Sequence, residues 1–208
     1  MEMAATDQGH LYIAWADNRD GEYGIYLVAS TDHGRTWSQE VRLDVAKAKV
    51  ARASLPALAA DGAGHVYVAW QDARHGGWDI YFNRSADFAK TWQPAGVRLN
   101  TGPPGEAEAQ LPQIALDGHG TIAAAWQEDR GADQRQGIYL TWSTDFGQTW
   151  LSADQRVDDP TSGEAAGQPQ LSMLPDGDAV LAWEVTRHDR KEITVKVMTS
   201  SVRQTSTQ

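Results

Sequence analysis

The sequence predicts an all-β protein, a β-propeller of about four four-stranded blades, and three observations support this prediction. One segment recurs four times at a step of 55 to 57 residues. The strands predicted within each unit are apolar on both faces, as expected of sheets that are covered on two sides. Turns rich in Gly and Asp separate these strands, and helical periodicity does not persist along the chain.

The recurring segment is a strand that carries a tryptophan near its end. Its copies are LYIAWADNR, VYVAWQDAR, IAAAWQEDR and AVLAWEVTR, and their tryptophans are Trp15, Trp70, Trp126 and Trp183. Prolines keep nearly the same step, at Pro56, Pro112 and Pro169. A four-stranded unit of this length is typical of a propeller blade, whereas a β-helix has a much shorter period and a sandwich does not repeat one motif four times.

The second unit shows the four strands most clearly. They are predicted as strand A (Leu55–Ala60), strand B (His65–Gln71), strand C (Asp79–Arg84) and strand D (Val97–Asn100). Turn residues bound each of them. The other units follow the same order.

The chain is predicted to be a single propeller domain, 1–208, or part of one. The expected blades are residues 1–45, 46–101, 102–158 and 159–208. The first blade has only a short strand A, and the last lacks a strand D. Three arrangements remain open: a closed four-bladed ring, a larger ring assembled from copies, or a fragment of a longer propeller. Uncovered apolar sheets are a liability, so we expect self-association or a fragment rather than a closed monomer.

An eight-residue motif follows strand C in three units, as STDHGRTW, SADFAKTW and STDFGQTW. It resembles the Asp box of the bacterial neuraminidase (BNR) repeat found in sialidase-like propellers. We expect a structural hairpin, in which Asp accepts turn N–H groups, Gly supplies a positive φ and Trp folds over the turn. Ligand or cation binding is the less favoured alternative. The motif residues are Ser30, Asp32, Gly34, Trp37, Ser85, Asp87, Trp92, Ser143, Asp145, Gly147 and Trp150.

In the second motif Ala89 replaces the glycine. We expect this replacement either to cost about 1 kcal/mol or to shift the geometry of the turn.

Strand B ends in Trp-x-Asp-x-Arg in the first two units, and the third and fourth units keep the arginine. In a propeller this end of strand B lies on the rim formed by B–C loops and D–A connectors, which carries the active site of sialidase-like propellers. One hypothesis is that the arginines bind a ligand carboxylate. The alternative, which the repetition favours, is that each pairs with a nearby acid. The candidates are Arg19, Arg74, Arg130 and Arg187 with Asp17, Asp72 and Asp129.

Catalysis of the sialidase type is weakly indicated. The Arg-Ile-Pro tripeptide of that family is absent, and the chain has fewer blades than the family fold. Glu106, Glu108 and Glu164 are candidates for a pair of glycosidase carboxylates, although a solvated acidic loop explains them more simply. Trp78 lies in a loop that breaks the repeat, where it either stacks on a sugar or packs on the next blade. No cofactor and no metal site are predicted.

The composition limits the partners. The chain has 28 acidic and 18 basic residues, a formal charge of −10 and no cysteine. This balance argues against nucleic acid and anionic membranes as partners and excludes disulfides. No apolar run is long enough for a membrane span, and this chain shows no signal peptide. The localisation stays open, and the family resemblance suggests a secreted or cell-surface bacterial protein.

The sequence therefore predicts a non-catalytic propeller module that binds a glycan or protein ligand on the arginine-bearing rim. The first alternative is a glycoside hydrolase of the sialidase type. The second is a structural repeat protein that forms a homo-oligomer.

Overall fold

A computed structural model describes residues 1–19, 21–44, 52–130, 134–187 and 190–199. The regular elements in these ranges are all β-strands, which confirms the predicted fold class. The described part of the chain holds no helix of the length and apolarity that a membrane span requires. The strands are β1 (Glu2–Ala5), β2 (Leu11–Asp17), β3 (Gly24–Ser30), β4 (Val41–Arg42), β5 (Ala53–Ala60), β6 (Val66–Asp72), β7 (Asp79–Ser85), β8 (Val97–Arg98), β9 (Gln110–Leu116), β10 (Ile122–Glu128), β11 (Gly137–Ser143), β12 (Gln155–Arg156), β13 (Ala165–Met173), β14 (Ala179–Arg187) and β15 (Arg190–Met198).

The strands form four separate antiparallel sheets, one for each predicted blade. The orders are β1-β2-β3-β4, β5-β6-β7-β8, β9-β10-β11-β12 and β13-β14-β15, so each blade runs from strand A to strand D in chain order. Strand A of the first blade is short, as predicted, and pairs Glu2 with Ala14. The fourth blade has three strands within the described residues. The expectation that it lacks a strand D concerns the segment 201–208, which lies outside the described residues.

Successive side chains of a β-strand point to opposite faces, and this alternation explains how the blades stack. In β6, Val66, Val68 and Trp70 belong to the core shared with the first blade. Tyr67, on the opposite face of the same strand, belongs to the core shared with the third blade. All of β6 is buried, because a neighbouring sheet covers each of its faces.

Three hydrophobic clusters hold the array together, and each lies between two consecutive blades. Trp70, Trp126 and Trp183, from the recurring segment, stand at the centre of the first, second and third clusters. Among the described residues, no cluster joins the fourth blade to the first. The blades therefore form an open array in this structure and not a closed four-bladed ring.

The strand A positions converge on a central cavity of about 150 Å³. Its walls include Leu55, Leu111 and Gln168, which sit at bulges with positive φ angles of 48°, 54° and 56°. Each bulge precedes one of the repeated prolines. Glutamine side chains from strand B of the preceding blade accept the bulge N–H groups, as in the Leu111–Gln71 bond of 3.3 Å and the corresponding bond of Gln168. The strained backbone is thus stabilised by bonds between blades.

Candidate functional site

One rim of the array, here called the loop rim, consists of the B–C loops and the D–A connectors. Backbone hydrogen bonds hold the two sets together. A backbone N–H at the start of each strand A donates to the carbonyl oxygen of the residue that precedes strand C in the previous blade. These donor–acceptor pairs are Ala53–Tyr23, Ala109–Trp78 and Ala166–Gln136, at 3.0, 2.8 and 2.9 Å. Tyr23, Trp78 and Gln136 therefore occupy equivalent places on this rim.

The ends of strand B form the same polar unit in the first two blades. In the second blade the indole N–H of Trp70 donates to Asp72 at 3.1 Å, and Arg74 binds the same carboxylate. The guanidinium of Arg74 lies 3.7 Å from the centroid of the Tyr81 ring. Asp72 is fully buried, so its charge is neutralised by these donors rather than by water.

The first blade repeats this unit in a more exposed form. Arg19 Nε donates to Asp17 Oδ2 at 2.9 Å, and Arg19 also bonds Glu40. Hydrogen bonds from Arg19 lower the pKa of Asp17 to about 2. The acid is therefore ionised at neutral pH and remains paired with its arginine.

In the third blade the acid of the unit is Glu128. Trp126 donates to it at 2.7 Å, and Arg130 lies 3.7 Å from it and also bonds Asp154. Asp129, the acid named as a candidate in this blade, lies one residue beyond this position and accepts the backbone N–H of Glu108 at 2.8 Å. Trp-x-Glu-x-Arg keeps the register of the first two units, and this spacing could have identified Glu128 from the sequence.

Burial raises the pKa of the Glu128 carboxyl, which outweighs the opposing effects of its bond to Trp126 and the charge of Arg130. In the fourth blade the unit is broken. Val185 stands where the acid would be, and Arg187 bonds Glu164 at 2.8 Å and Glu192 at 3.1 Å.

Each of the four predicted rim arginines therefore has carboxylate partners within the protein. A ligand carboxylate on these arginines would compete with the acids already bound to them. A second layer of arginines, which is not among the residues predicted from the sequence, lies in strand D next to the strand C tyrosines. These are Arg42, Arg98 and Arg156.

Strand D carries a repeated polar pair that explains this second layer. Arg156 bonds Asp158 through Nε and Nη2 at 3.0 and 2.9 Å, and Asp158 accepts the N–H of Ile138. Asp44 and Asn100 accept the equivalent N–H groups in the first two blades. The recurrence of VRLD, VRLN and QRVD at the blade step is the sequence signal for this structural pair.

Two clefts on the loop rim contain residues that the sequence singled out, Trp78 in one and the acids Glu106, Glu108 and Asp129 in the other. Trp78 lines a mainly apolar cleft of about 220 Å³ with Tyr23, Arg52 and Ser54. Trp78 is partly buried, and Tyr23 is exposed. Both residues come from B–C loops, of the second and the first blade.

The second cleft has a volume of about 270 Å³ and is acidic. Glu106, Glu108, Asp129 and Arg130 line it. Glu164, the third predicted carboxylate, lies apart from them, where it accepts the bond from Arg187.

The opposite rim carries the eight-residue motifs, which form a repeated hydrogen-bonded turn. In the first copy Ser30 Oγ donates to Asp32 at 2.8 Å and accepts the N–H of Gly34 at 3.0 Å. Asp32 also accepts the N–H and the hydroxyl of Thr36 at 2.8 and 2.6 Å. The same bonds recur at Ser85 and Asp87 and at Ser143 and Asp145.

Ala89 adopts a φ of 63°, close to the 79° and 76° of Gly34 and Gly147. Its N–H bonds Ser85 Oγ at 3.0 Å, the same distance as in the first copy. The turn is therefore unshifted, and the substitution leaves an alanine in a left-handed conformation.

The motif tryptophans differ in what covers them. Trp150 packs edge-to-face on Phe82 of the preceding blade at 4.9 Å, and Trp92 bonds the carbonyl of Ala89 and joins the core between blades one and two. Trp37 is 43% exposed, and among the described residues no other blade covers it as Phe82 covers Trp150.

The profile of the BNR repeat-like domain family matches residues 2–206. No curated protein matches the chain.

Solved structures show the same fold at low sequence identity. An α-L-arabinanase of Penicillium chrysogenum complexed with arabinobiose is 16% identical with a TM-score of 0.59, and the match covers 93% of this chain and 63% of that one. A protein of unknown function from Dyadobacter fermentans is 16% identical with a TM-score of 0.67, covering 94% and 51%. A family PL25 ulvan lyase is 10% identical with a TM-score of 0.64, covering 96% and 55%. This chain spans between half and two thirds of the length of these three structures.

Proposed function

The chain belongs to the BNR repeat-like family, and from that premise we propose that it is a non-catalytic module that binds a polysaccharide on its loop rim. The observation that carries the proposal is the aromatic cleft, which Tyr23 and Trp78 line together with Arg52. Binding sites for small ligands are concave and mainly apolar, with a few polar groups that set orientation. The cleft has this composition.

The aromatic rings suit a sugar for a physical reason. Each presents a broad apolar surface that can cover the C–H face of a pyranose or furanose, together with an O–H or N–H that can bond a hydroxyl. The backbone bonds of Tyr23 and Trp78 to the D–A connectors hold both loops in place. Little conformational entropy is then lost when a ligand binds.

The charge of the chain favours a neutral glycan. The formal charge is −10, and the rim arginines are already paired with acids. A polyanionic chain would meet repulsion from the net negative charge, and the rim arginines that are paired with acids would offset it little. An arabinanase complexed with arabinobiose and an ulvan lyase, both polysaccharide enzymes by name, are among the structural neighbours, which supports a glycan as the ligand class.

The test is titration calorimetry of the whole chain with a neutral arabinan oligosaccharide. We expect Trp78→Ala and Tyr23→Ala each to weaken binding by about tenfold or more, as loss of an aromatic anchor does. Trp37→Ala is the matched control, because it removes an exposed tryptophan from the opposite rim, and it should leave the affinity unchanged. Equal affinity of Trp78→Ala and the unaltered chain would overturn the proposal.

A glycoside hydrolase is the second candidate, and the acidic cleft of Glu106, Glu108 and Asp129 favours it. Paired carboxylates beside a glycosidic bond are the general requirement for its hydrolysis. The experiment is turnover of fluorogenic arabinosides and sialosides. Hydrolysis that is abolished by Glu108→Gln, with glycan binding retained, would replace the non-catalytic module by this enzyme.

A further inference from the structure

The fourth blade departs from the repeat at two neighbouring positions of its loop rim. Val185 follows Trp183 at the place where the other blades have Asp17, Asp72 or Glu128. Thr194 pairs with Trp183 across the sheet, as Tyr81 pairs with Trp70 in the second blade. The two replacements remove both the carboxylate and the aromatic ring of the polar unit.

Trp183 is left with an unsatisfied donor. It is only 4% exposed, and its indole N–H has no hydrogen-bond partner among the described residues. The equivalent N–H groups of Trp70 and Trp126 donate to Asp72 and Glu128. A buried donor without a partner costs about 1–3 kcal/mol, so an acceptor from outside the chain is expected beside it.

The missing groups leave a cavity of about 100 Å³. Trp183, Val185 and Thr194 form one side, and the connector residues Asp159, Ser162 and Glu164 contribute to the other. A water molecule occupies about 30 Å³ in the liquid, so the cavity takes a few oxygen-sized groups rather than a whole sugar chain.

The lining specifies what chemistry the occupant needs. The indole N–H lacks an acceptor, whereas the carboxylates of Asp159 and Glu164, which already accept bonds from Thr161 and Arg187, can accept further donors. Arg187, the cation of the lining, is already bonded to Glu164 and Glu192. A carboxylate or sulfate would accept from the indole but would be repelled by the acids. A hydroxyl both accepts and donates, and it carries no charge.

We infer that this cavity is a binding subsite for the hydroxyl-bearing edge of a neutral sugar residue. The inference rests on the proposed function, since it places a second contact for the same class of ligand on the same rim. It assigns a role to the place where the repeat is broken. The Trp183 indole is the donor to the sugar, and the connector carboxylates are the acceptors.

The test follows the indole N–H resonances of the whole chain, labelled with ¹⁵N at tryptophan, during titration with L-arabinose. We expect the Trp183 resonance to shift, and D-glucuronate to produce a much smaller shift because of the acids. Trp183→Phe and Trp78→Phe spectra assign the two signals. The double variant Val185→Asp, Thr194→Tyr restores the residues of the second blade and should abolish the Trp183 shift. Val197→Asp is the matched control, because it adds a charge to an exposed position of the same sheet.

Thr194→Tyr alone, which fills the cavity without adding a charge, serves if the double variant does not fold. If the Trp183 resonance does not shift, the cavity holds only water and the subsite is overturned. A shift that persists in the filled variants would also overturn it. An equal shift with glucuronate would overturn the preference for a neutral sugar. The Trp78 resonance reports the aromatic cleft separately, so a shift at Trp78 with silence at Trp183 overturns the subsite alone. A shift at Trp183 with silence at Trp78 overturns the aromatic cleft alone.

Discussion

Equivalent strand C positions of the second and fourth blades differ in burial. Ile80 and Phe82 of the second blade are fully buried against the third blade, whereas their equivalents Ile193 and Val195 are 67% and 61% exposed. All four residues are large and apolar. The difference teaches that the stabilisation from a blade face depends on the neighbouring sheet that covers it and not on the composition of the strand itself.

The first blade presents the complementary case at the other end of the array. Leu11, Ile13 and Trp15 occupy the strand B positions that in the second blade pack on the preceding sheet. In the first blade these side chains face away from the second blade, and no sheet among the described residues covers them. The two ends therefore carry the two halves of the inter-blade interface that the chain builds three times internally.

The largest expected effect comes from comparing one position on a covered and an uncovered face. Phe82→Ala should destabilise the protein by about 3–5 kcal/mol, because it leaves a cavity in the core between blades two and three. At a protein concentration too low for copies to associate, Val195→Ala, at the equivalent position of the fourth blade, should change stability by less than about 0.5 kcal/mol. Urea unfolding measures both. Similar costs would show that a partner covers the fourth blade in solution.

Assembly of copies is the next test, since the two end faces match each other as blades two and three do. We expect the fourth blade of one copy to pack on the first blade of another, so that light scattering gives a multiple of the 22.8 kDa chain mass. Val195→Glu should reduce the mass to that of one chain, while the control Glu2→Lys, at an exposed polar position, should not. A single-chain mass for the unaltered protein contradicts self-assembly.

Much of this architecture could be predicted from the sequence, because each strand type recurs with one period. The period identified the blades, and the recurring tryptophans identified their cores. The sequence favours an unclosed monomer but does not show what covers its end faces, because the alternating apolar residues of β15 look the same whether or not another sheet covers them.

The site was less predictable. The pairing of Arg74 with Asp72 followed from its spacing, whereas the approach of Tyr23 to Trp78 joins loops of different blades and has no signal in either loop. The cavity beside Trp183 depends on Val185 and Thr194. Each of these is an unremarkable strand residue until it is compared with the equivalent residue of another blade.

The loss of stability in acid extends the comparison to the turns of the eight-residue motifs, which have the same hydrogen bonds in covered and uncovered blades. Hydrogen bonds from Thr36 and Ser30 lower the pKa of Asp32 to about 2. Burial raises the pKa of Asp145, but hydrogen bonds from Thr149 and Ser143 outweigh it and bring the pKa to about 2. Folded-state values below the ordinary value contribute stability above about pH 4, which is lost as the pH falls towards 2.

Thermal unfolding between neutral pH and pH 2 measures this loss. Asp32→Asn and Asp145→Asn should each reduce the pH dependence by a similar amount, since the bonds that lower both pKa values are local to the turn. Asp7→Asn, an exposed acid of the first blade outside these turns, is the control. A larger effect at Asp145 than at Asp32 would mean that coverage by the neighbouring blade reaches the turn as well.

The smallest expected effect is at Ala89. Its left-handed backbone costs about 1–2 kcal/mol relative to glycine, whereas glycine loses about 0.5–1 kcal/mol more chain entropy on folding. Ala89→Gly should therefore stabilise the protein by about 0.5 kcal/mol in urea unfolding. Gly147→Ala is the reverse change in the third copy, and a Cβ there would lie 2.7 Å from Phe82 Cζ, so it should destabilise by about 1–3 kcal/mol. Because Ala89 also packs on the core between blades one and two, a loss of stability in Ala89→Gly would show that contact with the neighbouring blade outweighs backbone strain even within the turn.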